Sequence, residues 1–131
     1  MLTEDQDIVY REAGSMASEP PVAADSPDER RALKLSNITL FRYSALTFNA
    51  HRIHYDLEYC RTHDYPGIVV HGPLMATALA AMADERKSLE MFEFRATSPL
   101  YLGDVAWLCR AGNSYWVEGP GRRLCMTATA G

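Results

Sequence analysis

A chain of 131 residues has room for one ordinary domain and not for two. With 47% hydrophobic residues it can bury a core, which excludes wholesale disorder. A net charge of −4 excludes the broad basic face that nucleic-acid binding needs, so an anionic ligand would require a local basic patch.

The N-terminal residues are acidic and contain no apolar core of signal-peptide length. Residues 3–13 are polar with Ile8, Val9 and Tyr10 embedded, which fits a helical turn or a docking peptide. Residues 14–31 hold Pro20, Pro21 and Pro27 among small and charged side chains, the composition of a linker. Residues 1–33 are therefore expected to lie outside a single domain that spans 34–131.

Residues 35–47, LSNITLFRYSALT, are rich in β-branched and aromatic side chains and predict a strand. Residues 48–70 are irregular, with a short helix expected around 56–62. Residues 72–87 predict the clearest helix: Gly72 opens it, Pro73 sits where proline is tolerated, and Ala, Leu and Met follow. No charge interrupts Leu74 to Ala83, so this helix is expected to be buried. The apolar run from Ile68 to Ala83 is broken by His71, Gly72 and Pro73, and nothing reaches membrane-span length.

Strands are expected at Met91–Thr97, Val105–Arg110, Ser114–Glu118 and Arg123–Thr129, with turns at Pro99, Gly112–Asn113 and Gly119–Gly121. One buried helix followed by an antiparallel meander is an α+β arrangement, with the sheet laid across the helix. The three cysteines, Cys60, Cys109 and Cys125, are odd in number and form no CxxC. They predict free thiols in a reducing, cytoplasmic type of compartment.

All four histidines fall in FNAHRIHYDLEYCRTHDYPGIVVHGP, residues 48–73, and three readings of that segment compete. His51, His54, Cys60 and His63 are possible zinc ligands, but no second close pair follows, and no metal is expected. Alternatively His51 and His63 are ordinary surface residues, Arg52, Asp56 and Glu58 a solvated face, and Cys60 a small packed side chain. In the third reading, neutral His54 exchanges protons with water, and the Asn49 amide holds that water. The N–H groups of the helix opening at Gly72 then receive a carbonyl oxygen as it gains charge. Together these would suit hydration of a double bond conjugated to a carbonyl.

The segment FRYSALTFNAHRIHYD, with YPGIVVHGPLMATAL after it, resembles the hydratase motif of MaoC-like proteins. It is most similar to their 3-hydroxyacyl-thioester dehydratases and mesaconyl- or itaconyl-CoA hydratases. FRATSPLYLGD, residues 94–104, resembles a later segment of the same family, and LTEDQDIVYRE looks like the linker preceding this domain in two-domain members. The resemblance implies a hot-dog fold, an antiparallel sheet around a central helix. It implies a hydratase or dehydratase acting on 2-enoyl-CoA or 3-hydroxyacyl-CoA, with no cofactor beyond the coenzyme A of the substrate.

The family's motif is Asp-x-Asn-Pro-apolar-His. Its histidine falls on His54, its aspartate on Asn49 and its Asn-Pro on His51-Arg52. The histidine is kept and the carboxylate is not, which puts the proton chemistry on His54 and leaves Asn49 to orient water. Gly72 falls on the family's oxyanion position. Val70, His71 and Arg95 are the expected substrate contacts, and Arg42, Arg52 and Arg95 are equally suited to a substrate carboxylate, a coenzyme A phosphate or solvent. A non-catalytic partner subunit or acyl-CoA-binding module is the alternative, and a thioesterase a more distant one. Hot-dog domains pair through sheet edges, so a homodimer or larger homo-oligomer is expected.

Overall fold

The computed structural model describes residues 1–9, 19–24 and 26–131. Five antiparallel strands form one sheet: β1 Glu29–Leu33, β2 Phe92–Ala96, β3 Ala106–Ala111, β4 Ser114–Glu118 and β5 Leu124–Ala130. Their spatial order is β1-β3-β4-β5-β2. The helices are α1 Asn37–Thr47, α2 Leu57–Thr62 and α3 Gly72–Asp84.

The sheet is α+β as expected, and β3, β4 and β5 form the predicted meander. Gly112, at φ +58°, makes the tight turn between β3 and β4, a conformation that costs other residues more. β2 does not pair with its successor β3 but with β5, on the far side of the meander. Alternation along the strands sends Tyr115, Val117, Met126 and Ala128 into the main core. Trp116 and Cys109 form a second cluster on the opposite face.

α3 buries Met75, Ala76, Leu79, Met82 and Ala83 against the sheet. That spacing is one helical face, and fully burying a side chain such as Leu79 stabilises the fold by about 1.5–3 kcal/mol. Pro73, Thr77 and Ala81 remain exposed, because one sheet layer covers one side of the helix. The helix is thus buried along a stripe and not all round.

Two expectations are corrected. Residues 35–47 do not form a strand. Ser36 caps α1 by accepting the Thr39 N–H at 3.2 Å, and the helix stops at Phe48, which is left-handed at φ 53°. Only Leu40 of α1 is buried, so the cap and the turn outweigh the β propensity of Ile38, Thr39 and Tyr43.

The domain also begins before residue 34. β1 pairs with β3 along its whole length, Val22 bridges Arg123, and Ala23 is buried. Glu29 pairs with Arg110 at 3.4 Å and Arg31 with Glu85 at 2.6 Å, so the charges that suggest a linker fasten an edge strand. β3 and β5 are therefore interior strands, and among the described residues β1 and β2 are the outer strands of the sheet. Residues 3–9 carry no regular structure, while 10–13 and part of 14–31 lie outside the described residues.

Candidate active site

α1 ends in a turn that aims the chain back along the helix. The N–H of Asn49 reaches the Ser44 carbonyl at 2.9 Å, and the His51 N–H then reaches the Asn49 side-chain oxygen at 3.1 Å. A single 3₁₀ turn, Arg52–His54, follows and delivers His54 inward. Its Nδ1 lies 2.8 Å from the Val69 carbonyl. A carbonyl only accepts, so Nδ1 carries the proton and the Nε2 lone pair of the neutral ring is left for chemistry.

The strand-like passage Ile68–Val70 is pinned on both sides. Val69 N–H donates to Ile53 at 2.9 Å, and Val70 N–H donates to Leu100 at 2.8 Å. His71 then caps α3 in extended conformation and supplies no side-chain cap bond. No hydrogen bond among the described residues takes the Gly72 N–H, which sits at the positive end of the helix dipole. A Cβ built on Gly72 would meet nothing within 4 Å, so open space faces that backbone.

His54 is 8% exposed and His71 1%. Their rings stack with centroids 3.7 Å apart and planes 16° apart. Burial, and then the neighbouring His54, push the His71 pKa down to about 4. His54 is also lowered, by burial first; the Val69 hydrogen bond opposes this and the charge of His51 adds to it. Both imidazoles are neutral near pH 7. His51 is exposed and presents its ring to His54 edge to face, with centroids 5.9 Å apart.

The sequence-level candidates therefore separate. Asn49, His54, His71 and the opening of α3 are linked through this hydrogen-bonded and stacked segment. Val70 is a buried residue of the main core, in the cluster that also holds Leu79 and Leu100. His71 is too buried to offer its ring to a ligand. Arg95 pairs with Thr127 in the row that includes Trp116, on the sheet face turned away from α3. Arg52 is engaged by Asp56 at 2.7 Å and lies over the Tyr59 ring. His63 bonds the Tyr59 carbonyl, and Cys60 donates to Ile53. No group of three or more His, Cys, Asp or Glu among the described residues could hold a metal ion.

The family model for hydroxyacyl-thioester dehydratase type 2 matches residues 1–102. The chain belongs to this family. Among curated proteins it is similar to a mesaconyl-C(4)-CoA hydratase of Chloroflexus aurantiacus. The two are 45% identical over 98% of this chain and 49% of that protein. It is also similar to a mitochondrial hydroxyacyl-thioester dehydratase type 2 of Schizosaccharomyces pombe, at 30% identity over 89% of this chain and 42% of that one. The chain thus spans about half the length of the curated relatives it matches.

Among solved structures, it superposes on an (R)-hydratase from A. caviae with a TM-score of 0.65. The identity is 17%, over 82% of this chain and 95% of that one. A MaoC-like dehydratase gives 0.65 at 16%, over 99% and 50%. The fold is the hot dog, as the motif resemblance implied.

In this member of the dehydratase family, Ser44 and Val69 also belong to the site. Ser44 Oγ lies 2.8 Å from Nε2 of His71. Sequence reasoning passed over both. Val69 acts through its carbonyl, which carries no residue signature, and Ser44 is brought to His71 only by the packing of α1. Its place inside the FRYSALTFN stretch was the one available signal.

Proposed function

We propose that this chain adds water to the double bond of a 2-enoyl-CoA thioester, or removes it from the 3-hydroxyacyl-CoA. The observation that carries the proposal is the Nδ1–H of His54 committed to the Val69 carbonyl, which leaves Nε2 as a base on a buried, neutral ring.

The Asn49 carbonyl already accepts from His51, so its amide N–H groups are the ones suited to hold the water oxygen. His54 Nε2 takes a proton from that water, and the oxygen bonds to C3 of the enoyl group. The C2–C3 π pair shifts toward the thioester, whose oxygen gains charge against the Gly72 N–H. The proton on Nε2 then passes to C2, and His54 is neutral again. The thioester itself acidifies C2, so the step calls on no redox or metal chemistry; coenzyme A enters as part of the substrate.

A non-catalytic module is the second reading, favoured by the amide in place of a carboxylate at Asn49 and by the half-length match to the curated relatives. We also propose a homo-oligomer. Among the described residues the outer edges of β1 and β2 are unpaired, and Ile38, Phe41, Leu46 and Phe48 stand exposed on and beside α1. No helix of the described residues is long and apolar enough to cross a membrane, and Cys60, Cys109 and Cys125 are free and buried. Both facts fit a cytoplasmic setting.

Crotonyl-CoA with the purified chain tests the activity. Loss of the enoyl absorbance without release of thiol is the expected result. Thiol release would make it a thioesterase, and no change would favour the binding module.

A further inference from the structure

The stacked histidine pair assigns a role to two residues that the hydration chemistry does not itself use. We propose that Ser44 and His71 form a positioning pair that holds the His54 ring in its reactive orientation. The proposal rests on His54 being the acid–base group.

Among the described residues the His54 ring has one hydrogen bond, through Nδ1, and one bond leaves a ring free to rock about that axis. The His71 ring lies flat against it at 3.7 Å and blocks that motion on one face. His71 can do so only if its own plane is fixed. Three contacts fix it. Ser44 holds its Nε2 at 2.8 Å, the Tyr43 ring meets it edge-on at 5.0 Å, and its backbone is committed as the cap of α3. Ser44 and Tyr43 are adjacent on α1, so one helix turn grips the ring from two sides.

The protonation state follows from burial. Nδ1 of His71 has no partner among the described residues. An orphaned buried N–H is rarer than an orphaned acceptor, so the proton belongs on Nε2, donating to the Ser44 hydroxyl. His71 stays neutral there. A neutral ring beneath His54 lets His54 accept its transient proton with no like charge in contact. A charged one would oppose each turnover.

Substitution at Ser44 leaves His54, Asn49 and Gly72 untouched. Ser44→Ala is expected to lower kcat on crotonyl-CoA roughly three- to tenfold, the usual worth of one hydrogen bond, with KM unchanged. Ser44→Thr, which keeps the hydroxyl, should recover most of the loss. In ¹⁵N-histidine spectra, wild-type His54 should show a single Nδ1–H tautomer, and Ser44→Ala should move it toward the averaged signal of a free imidazole. A folded Ser44→Ala protein with wild-type kcat, or with unmoved His54 resonances, would overturn the proposal. So would failure of Ser44→Thr to recover kcat. An inactive wild-type protein would remove the hydratase assignment but leave the resonance test intact, so the two failures are separable.

Discussion

Strands β3, β4 and β5 are held by pairing between neighbours in sequence, across turns of a few residues. Residues 36–72 are held differently. Their fixed points are contacts at long range: Ser44 to His71, His54 to Val69, Val70 to Leu100. The first region is a platform whose Val117 and Met126 are fully buried, in a core shared chiefly with α3. The second carries titratable groups at the mouth of α3 and depends on the platform to bring them together. Stability should therefore respond mainly to changes in the first and chemistry mainly to changes in the second.

The largest effect should come from His54→Ala, which removes the proton carrier. Turnover of crotonyl-CoA is expected to fall roughly 10²- to 10⁴-fold while circular dichroism stays that of the native fold. Near-wild-type turnover would end the assignment. Next is Gly72→Pro, which deletes the open N–H. His71 is already extended at ψ 127°, as a residue before proline must be, and the space at Gly72 is clear. A loss of roughly 10²- to 10³-fold with the helix retained is expected; unchanged activity would move the oxyanion site elsewhere.

Met126→Ala, in the buried face of β5, probes the other side of the comparison. It should cost about 2–5 kcal/mol in denaturant unfolding, yet leave kcat of the folded fraction near wild type. Loss of kcat without loss of stability would contradict the division. Asn49→Asp is a milder change within the site and should be tolerated in steady-state assays, since it restores the family's commoner residue. A folded but inactive Asp variant would show the site to be misassigned.

How much of this was visible in the sequence follows the same division. Ser114–Glu118 and the α3 helix could be read because turn residues and an uncharged apolar run act locally, although its burial along one stripe could not. β1 could not, because Glu29, Arg30 and Arg31 look solvated until Arg110 and Glu85 are placed beside them. α1 is not legible because its composition favours strands, while the Ser36 cap that opens it is a single side chain. Of the candidate site, His54, Asn49 and Gly72 are picked out by their motif as candidates. The stacking of His54 on His71, and the burial that unsuits His71 for substrate, are not legible there: both arise where α1 packs over the start of α3.

Smaller still is a pH effect on stability. His71 is lowered to about 4 in the fold, against roughly 6.5 in the unfolded chain. Between those values the unfolded chain binds the extra proton and the folded one does not. Stability should thus fall as pH drops through that window, and replacing His71 by Phe should flatten the trend in thermal melts. A melting temperature that rises on acidification there would contradict a buried neutral His71.

The central claim is that a buried, neutral His54 accepts the proton of water, and the pH dependence of kcat/KM for enoyl-CoA hydration tests it most directly. Burial lowers the His54 pKa, so the neutral base persists below the ordinary histidine range. The predicted profile is a single acidic limb with its midpoint below about pH 6.5. A midpoint above that value, or a rate that rises on acidification, would contradict it.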